Sequence, residues 1–414
     1  MSVRNVGGPD TTEKVLSDIR VLDFAWVGAG ALVTQTFAIH GAEVIKVESA
    51  THPDNLRVTA PFRPDHDNVN GSGYFASRNA NKYSFALNMS TEKAHEIARE
   101  FLAKSDVVIN NFRPGIMERW GLGYEQARAI NPGIIYISMP MQGSTGPHRD
   151  FSGFGSTISA VSGIVDMSGL PDRAPIGTNT HYPDHVPNPG HALIILLAAL
   201  YRRSITGEGA NIELAQLEST VNCTGPAILA ASLNVDVQRT GNRVADEAPH
   251  GVFQCAGDDK WCAIAVRTKS QWEGLRRVLD VNHLLDDPAF NTLAGRKSAE
   301  DDIERIIGEY TVSWERERLA GALQAIGVPS YAVQTIPDLL SDQQLNERGF
   351  WRHLEHEEIG VYVTGSLPFR WEGGAFAPTR GAPLLGEHTW EIASRVLGMS
   401  KDEFDRLTAE GVLK

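Results

Sequence analysis

Apolar residues gather in short, nearly unbroken runs through the first half of the chain: 19–24, 43–48, 83–87, 106–110 and 134–138, with 211–215 further on. Runs of Val, Ile, Leu and Phe without polar alternation predict strands buried on both faces. Between them, 31–39 and 90–104 carry the longer helical period. Strand and helix in turn predict a doubly wound α/β domain around a parallel sheet. A longer apolar stretch, 191–203, predicts a helix stopped by Thr206-Gly207-Glu208-Gly209. Just before it, the Pro- and Gly-rich segment 177–190 carries one acidic residue, Asp184, in Tyr182-Pro183-Asp184.

After Glu218 the texture changes. Residues 218–235 predict a helix and 238–251 a linker. Runs 252–255 and 261–266 predict paired strands around an Asp258-Asp259 turn. Helices are expected over 270–278, 298–326 and 337–349, the last with Pro337 at its first position. An extended stretch, 362–371, and two closing helices, 389–397 and 401–409, complete the chain. The division expected is 1–220 as the first part of a large domain, 221–335 as linker and smaller α+β domain, and 336–414 as a segment returning to the large domain.

The 414 residues exceed what one core usually holds, which agrees with two domains. A composition 42% hydrophobic and 21% charged is that of a globular protein. The net charge of −13 argues against a nucleic-acid partner, which needs a basic face. It leaves room for a small polyanion in a local basic pocket. The apolar run 192–200 falls short of the ~20 residues that cross a bilayer, and residues 1–14 lack the apolar core of a signal segment. A cytoplasmic protein with no membrane partner is expected. Cys223, Cys255 and Cys262 have the spacing of neither a zinc site nor a disulfide framework, so reduced thiols and no metal centre are expected.

Two stretches carry candidate chemistry. Gly28-Ala29-Gly30 after the first strand resembles the opening of a dinucleotide fingerprint, and Glu48 follows at about 20 residues. The third glycine position is Val33, so the turn can equally bring backbone and a helix N-terminus to a phosphate or an apolar ligand. A nicotinamide-dependent oxidoreductase stays as one alternative. Asp184 can be a helix cap or a nucleophile. Pro187, Pro189 and Gly190 stand between it and the apolar run, which places it poorly as an N-cap.

Several segments, taken in order, resemble the class III coenzyme A transferases of the CaiB/BaiF type, the family of formyl-CoA, carnitine and benzylsuccinate CoA-transferases. They are Val21-Leu22-Asp23-Phe24, the run from Gly41 to Glu48, Asn79-Ala80-Asn81-Lys82, the run from Asp106 to Gly115, Asn131-Pro132, Tyr182-Pro183-Asp184, Thr206-Gly207-Glu208-Gly209 and the run from Ala382 to Thr389. The resemblance implies a Rossmann-like large domain with an inserted smaller α+β domain, and two subunits threaded as interlocked rings, an exception to the rule against threading. It implies a homodimer, or a heteromer with a homologous subunit in which this chain is the active partner. Acyl-CoA and a carboxylic acid are the implied substrates, with coenzyme A a substrate and not a tightly bound cofactor.

The family's nucleophilic aspartate falls on Asp184. An aspartate is ionised at neutral pH without a general base. It would attack a donor thioester to give an aspartyl–acyl anhydride, and then an aspartyl-CoA thioester that the acceptor acid resolves. The turn Val27-Gly28-Ala29 aligns beside the thioester, so the backbone N–H groups of Gly28 and Ala29 are the implied oxyanion donors. Gly28 stands where some relatives carry glutamine. The family's glycine-rich lid has no counterpart in 244–268. For coenzyme A the resemblance points to Val27, Leu87, Asn111, Phe112 and Arg119, with Lys82 and Arg113 as further cations beside Lys46 and Arg149; Ser49 replaces a basic residue of some relatives. A same-fold α-methylacyl-CoA racemase needs a histidine where this chain has Phe154. Trp26 suggests an apolar or aromatic acyl group, and His181, Arg173 and Arg149 are candidates for a second carboxylate, as in succinyl-CoA-dependent transfer to benzylsuccinate.

Overall fold

The computed structural model describes residues 14–64, 68–371 and 374–414. The polar stretch before Lys14 lies outside the described residues. The chain forms two compact units, 1–166 with 177–236 and 345–414, and 167–176 with 237–344. These boundaries differ from the expected ones: 221–236 belongs with the first unit, 336–344 with the second, and a short excursion at 167–176 joins the second.

The first unit runs β1 (Arg20–Phe24), α1 (Gly28–Ile39), β2 (Glu43–Glu48), α2 (Gly73–Asn79), β3 (Tyr83–Ala86), α3 (Glu92–Leu102), β4 (Val107–Asn110), α4 (Ile116–Arg119), α5 (Tyr124–Ile130), β5 (Ile135–Ser138), α6 (Gly155–Val161), α7 (Tyr182–His185), α8 (Pro187–Thr206), β6 (Ala210–Glu213), α9 (Gln216–Val221) and α10 (Gly225–Ser232). All six strands are parallel, in the order β3-β2-β1-β4-β5-β6. Each apolar run thus becomes a strand of one doubly wound sheet. Alternate side chains of a strand face opposite ways. Leu22, Phe24, Ile45 and Val47 pack with Ile97 and Phe101 of α3 and with Ile392 and Leu407 of the returning segment. Val21, Val44, Val107 and Ile137 pack with Val33 and Phe37 of α1 and Leu196 of α8. Both faces are covered, which is why the strands carry so little polar alternation.

α8 begins at Pro187, earlier than the expected 191. Prolines in the first helical turn forfeit no backbone bond, so Pro187 and Pro189 start the helix where the sequence suggested a break. Gly207 ends it in a left-handed conformation, φ 74°. α8 buries Ala192, Leu196 and Ala199 and leaves Ile194, Tyr201 and Ile205 exposed.

The second unit holds a three-stranded antiparallel sheet, β7 (His250–Gln254), β8 (Trp261–Ala265) and β9 (Ser330–Ala332). Trp272, Ile303 and Leu319 from its helices fill the core with the thiols of Cys255 and Cys262, which are free. The helix expected over 298–326 is two, Glu300–Thr311 and Arg316–Gln324, with a further short helix, Leu293–Ser298, ahead of them. Among the described residues, no helix is long and apolar enough to cross a membrane.

Candidate active site

The strand order reverses between β1 and β4, and in open α/β sheets that is where a crevice opens at the carboxyl ends of the strands. Two segments leave the sheet there, Ala25-Trp26-Val27 after β1 and Asn111-Phe112-Arg113 after β4. The first is tied at every step. The Ala25 N–H donates to Asp23 Oδ1 (2.9 Å), and the Ala25 carbonyl accepts from Lys46 Nζ (2.9 Å). The Trp26 N–H donates to Asn111 Oδ1 (2.9 Å), and its carbonyl accepts from Asn111 Nδ2 (2.5 Å). The Val27 N–H donates to Asp54 Oδ1 (3.0 Å). Asp54 also pairs with Lys46 at 2.8 Å, both side chains fully buried. The ties matter because Val27 has φ 62° and ψ −147°, a backbone that β-branched side chains resist at about 1–3 kcal/mol. Surrounding bonds of this density hold such a residue in place.

The turn delivers α1, which starts at Gly28 with no side-chain cap, so its first-turn N–H groups have no intrahelical partner. Asp184 meets that helix end. It sits in the single turn α7, is 5% exposed, and its N–H donates to the His181 carbonyl at 2.9 Å. A Cβ added at Gly28 would lie 2.5 Å from Asp184 Cβ, and one added at Gly155 would lie 2.6 Å from Asp184 Oδ2. The carboxyl is thus clasped between two glycines, each the first residue of a helix. Burial raises its pKa from 3.8 to about 6, against the opposing pull of His181 and of the Gly155 N–H, which bonds to it. At pH 7 roughly 90% of such a group is ionised. It does not cap α8, whose N-cap, Val186, has no side-chain bond.

His185, the next residue, holds Tyr74 Oη at 3.3 Å through Nε2 and Thr180 Oγ1 at 3.3 Å through Nδ1. Burial, with Arg78 and His181 nearby, lowers its pKa to about 4, so it is neutral at physiological pH. The His181 Nδ1 is buried without a partner.

Beside the turn lies a cavity of about 360 Å³ lined chiefly by Phe24, Trp26, Leu87, Phe112, Ile116 and Trp120. Phe112 meets Trp26 edge-on at 5.4 Å and Trp120 edge-on at 5.5 Å. An apolar slot of this size with aromatic walls suits a flat ring. Arg119, at the end of α4, and Arg113 are exposed, and among the described residues neither has an acidic partner.

The structure brings Val27, Gly28, Ala29 and Asp184 together and places Leu87 and Phe112 in the cavity. The Val27 side chain turns away to pack near Leu56 and Phe75. Asn111 positions the turn, its Oδ1 accepting from the Trp26 N–H and one N–H of its Nδ2 donating to the Trp26 carbonyl, while the second amide N–H stays open to a ligand. One of the expected coenzyme A contacts is corrected. Lys82 is fully buried, with Nζ bonded to Asp23, Asn79 and the Ala31 carbonyl, which excludes a phosphate contact. Lys46 is enclosed in the same way. Glu48 gives both oxygens to Arg57 (2.7 and 2.8 Å), leaving none for a ribose. Arg149 is exposed beside Asp150, Arg173 belongs to the other unit, and Phe154 is 54% exposed. Sequence reasoning passed over Gly155, Asp54, Tyr74 and Arg78. The one available signal was an arginine on a short helix of otherwise small, apolar and amide residues, just before Asn79.

Known proteins share this architecture. The model of the family described as CoA-transferase family III matches residues 16–389. A probable CoA-transferase of Mycobacterium tuberculosis is 34% identical over 406 residues, which is 95% of this chain and 50% of that protein, so the chain spans half that relative's length. Succinyl-CoA–D-citramalate CoA-transferase of Chloroflexus aurantiacus is 29% identical over 399 residues, 96% of this chain and 98% of the other. The crystal structure of a CaiB/BaiF family protein from Brucella suis superposes with a TM-score of 0.85 at 29% identity, over 93% of this chain and all of that one. With its fold and nearly its whole length matched, the chain belongs to CoA-transferase family III.

Proposed function

We propose that the protein moves coenzyme A from an acyl-CoA donor to a carboxylic acid through covalent intermediates on Asp184. The supporting observation is the carboxyl of Asp184 clasped against the open N-terminus of α1. An ionised Asp184 oxygen attacks the thioester carbonyl, and CoA leaves as a thiolate. The oxyanion that forms meets the N–H groups of Gly28 and Ala29 and the positive end of α1. The thiolate then attacks the aspartyl carbonyl of the anhydride, releasing the donor acid and leaving aspartyl-CoA. The acceptor carboxylate attacks that thioester, and the thiolate takes the acceptor acyl group, restoring Asp184. Every proton and electron pair balances without a co-reactant. The adenine would lie in the aromatic cavity, stacked on Phe112, with Arg119 and Arg113 at its phosphates.

A dicarboxylic donor such as succinyl-CoA fits the Chloroflexus relative's substrate. A proton-transfer reaction is the weaker reading, because Phe154 offers no base and His185, lowered to about 4, is a poor one. The exposed apolar residues of α8 and α10, Ile194, Tyr201, Ile205, Ile228 and Leu229, support an interlocked dimer that covers them. Mass analysis after hydroxylamine trapping tests the chemistry: wild type with an acyl-CoA should carry an adduct at Asp184, and Asp184→Ala should be inert. Turnover by Asp184→Ala would end the proposal.

A further inference from the structure

Arg78 is a cation with no acid of its own. It lies on α2 one turn after Tyr74, with its guanidinium carbon 5.9 Å from the Tyr74 ring. Its Nε is buried without a hydrogen-bond partner, and Nη1 makes one long bond, 3.4 Å to the Ser77 carbonyl. Among the described residues no carboxylate pairs with it. The other buried cations of this unit, Lys46, Arg57 and Lys82, each hold a buried carboxylate at 2.8, 2.7 and 3.1 Å. A guanidinium largely kept from water with no counter-charge is costly, and beyond that long bond the Tyr74 ring is the one stabilising contact visible for it among the described residues.

Its surroundings connect it to the reacting group. Tyr74 feels the charges of both Arg78 and Asp184. The Tyr74 hydroxyl reaches His185 Nε2, and His185 adjoins Asp184 and feels Arg78 in turn. Arg78 therefore connects to the reacting carboxyl through two neutral groups, the Tyr74 ring at 5.9 Å from its guanidinium carbon and His185, 3.3 Å from the Tyr74 hydroxyl and next to Asp184 in the chain.

We infer that Arg78, with Tyr74 and His185, forms the subsite for the second carboxylate of a dicarboxylic acyl group, the end of the acid that does not bond to Asp184, and so selects dicarboxylic over monocarboxylic acids. This rests on the proposed transfer through Asp184. A guanidinium recognises a carboxylate through paired N–H donors. Donor and acceptor acyl groups pass through the same bond to Asp184, so the subsite serves whichever of them is dicarboxylic.

The test compares wild type, Arg78→Met and Arg78→Lys in CoA transfer, with succinyl-CoA against butyryl-CoA as donor and glutarate against valerate as acceptor. Arg78→Met should raise KM for the dicarboxylic substrates roughly 10- to 100-fold, the worth of a charged hydrogen bond. Kinetics with butyryl-CoA and valerate should stay within about twofold, and Arg78→Lys should recover part of the loss. Equal losses for both classes, or a wild type that uses butyryl-CoA as well as succinyl-CoA, would overturn the subsite while leaving transfer at Asp184 standing. Protection from thermal unfolding by free glutarate, measured against valerate, needs no turnover. Glutarate should protect wild type and not Arg78→Met; equal protection by the two acids in wild type counts against the subsite. Should wild type bind glutarate selectively yet move no CoA, the transfer reading falls and the carboxylate site stands. If Arg78→Met does not fold, the wild-type preference and Arg78→Lys decide.

Discussion

Replacing Asp184 by Asn should stabilise the protein while silencing it. The carboxyl sits between Gly28 and Gly155 with its pKa raised from 3.8 to about 6 by burial. An acid held above its ordinary value binds its proton more tightly folded than unfolded. The charged form therefore costs stability, fully above about pH 6, partly between 6 and 3.8, and not at all below. A shift of about two units corresponds to roughly 3 kcal/mol at pH 8 and roughly half of that at pH 5. Asn has nearly the same shape, keeps an oxygen for the Gly155 N–H, and carries no charge at any pH. With an unfolding entropy of about 2 cal/mol/K per residue, 3 kcal/mol over 414 residues raises the melting temperature by about 3 °C if the chain melts as one. Calorimetry of both proteins at pH 8, 7, 6 and 5 measures it. The Asn variant should melt higher at pH 8, and its lead should shrink steadily toward pH 5. An Asn variant equal to or below wild type at pH 8, or a lead that does not change with pH, would refute the view that burial of the charged carboxylate carries this cost.

The same shift sets the acid limb of activity. kcat/KM for CoA transfer should fall below about pH 6 as Asp184 takes up its proton, and a rate unchanged down to pH 5 would remove Asp184 as the ionising group. Gly28→Ala puts a methyl 2.5 Å from Asp184 Cβ, and a displacement of that order should lower kcat/KM on the order of 100-fold, with the circular dichroism spectrum retained. Asn111→Ala leaves the Trp26 N–H and carbonyl without their partner and should lower stability by about 1–3 kcal/mol in urea unfolding.

The sheet was legible because its central strands are short apolar runs covered on both faces. Helix starts were harder to read. Pro187 and Pro189 look like a break until their place in a first turn is seen, and the segment 298–326 hides its interruption because Val312 and Trp314 continue the apolar rhythm. In the site, Asp184 lies against Gly28, and Phe112 and Leu87 line the cavity beside the turn. Lys82 is enclosed and Asn111 also holds the turn, because a polar residue at a strand end reads alike whether it faces a ligand or holds the backbone. Arg78 was illegible for a related reason. What marks it is the lack of a carboxylate near it in space, and a sequence does not record which residues come near. Gly155 escaped notice because its partner, Asp184, lies 29 residues on in the chain.

The three buried ion pairs Lys46–Asp54, Arg57–Glu48 and Lys82–Asp23 have a consequence for ionic strength. Dissolved salt screens charges that water reaches and acts weakly on those it does not. The turn carrying Val27 and Gly28 is anchored on the enclosed pairs, so its shape should be the same in dilute buffer and in molar salt. Arg113 and Arg119 are exposed, and under the proposed function their hold on a phosphate should weaken as salt is added. Salt should thus separate the two halves of the proposed site: KM for the acyl-CoA is expected to rise with ionic strength, while the turnover of bound substrate, governed by the buried scaffold, is expected to hold steady.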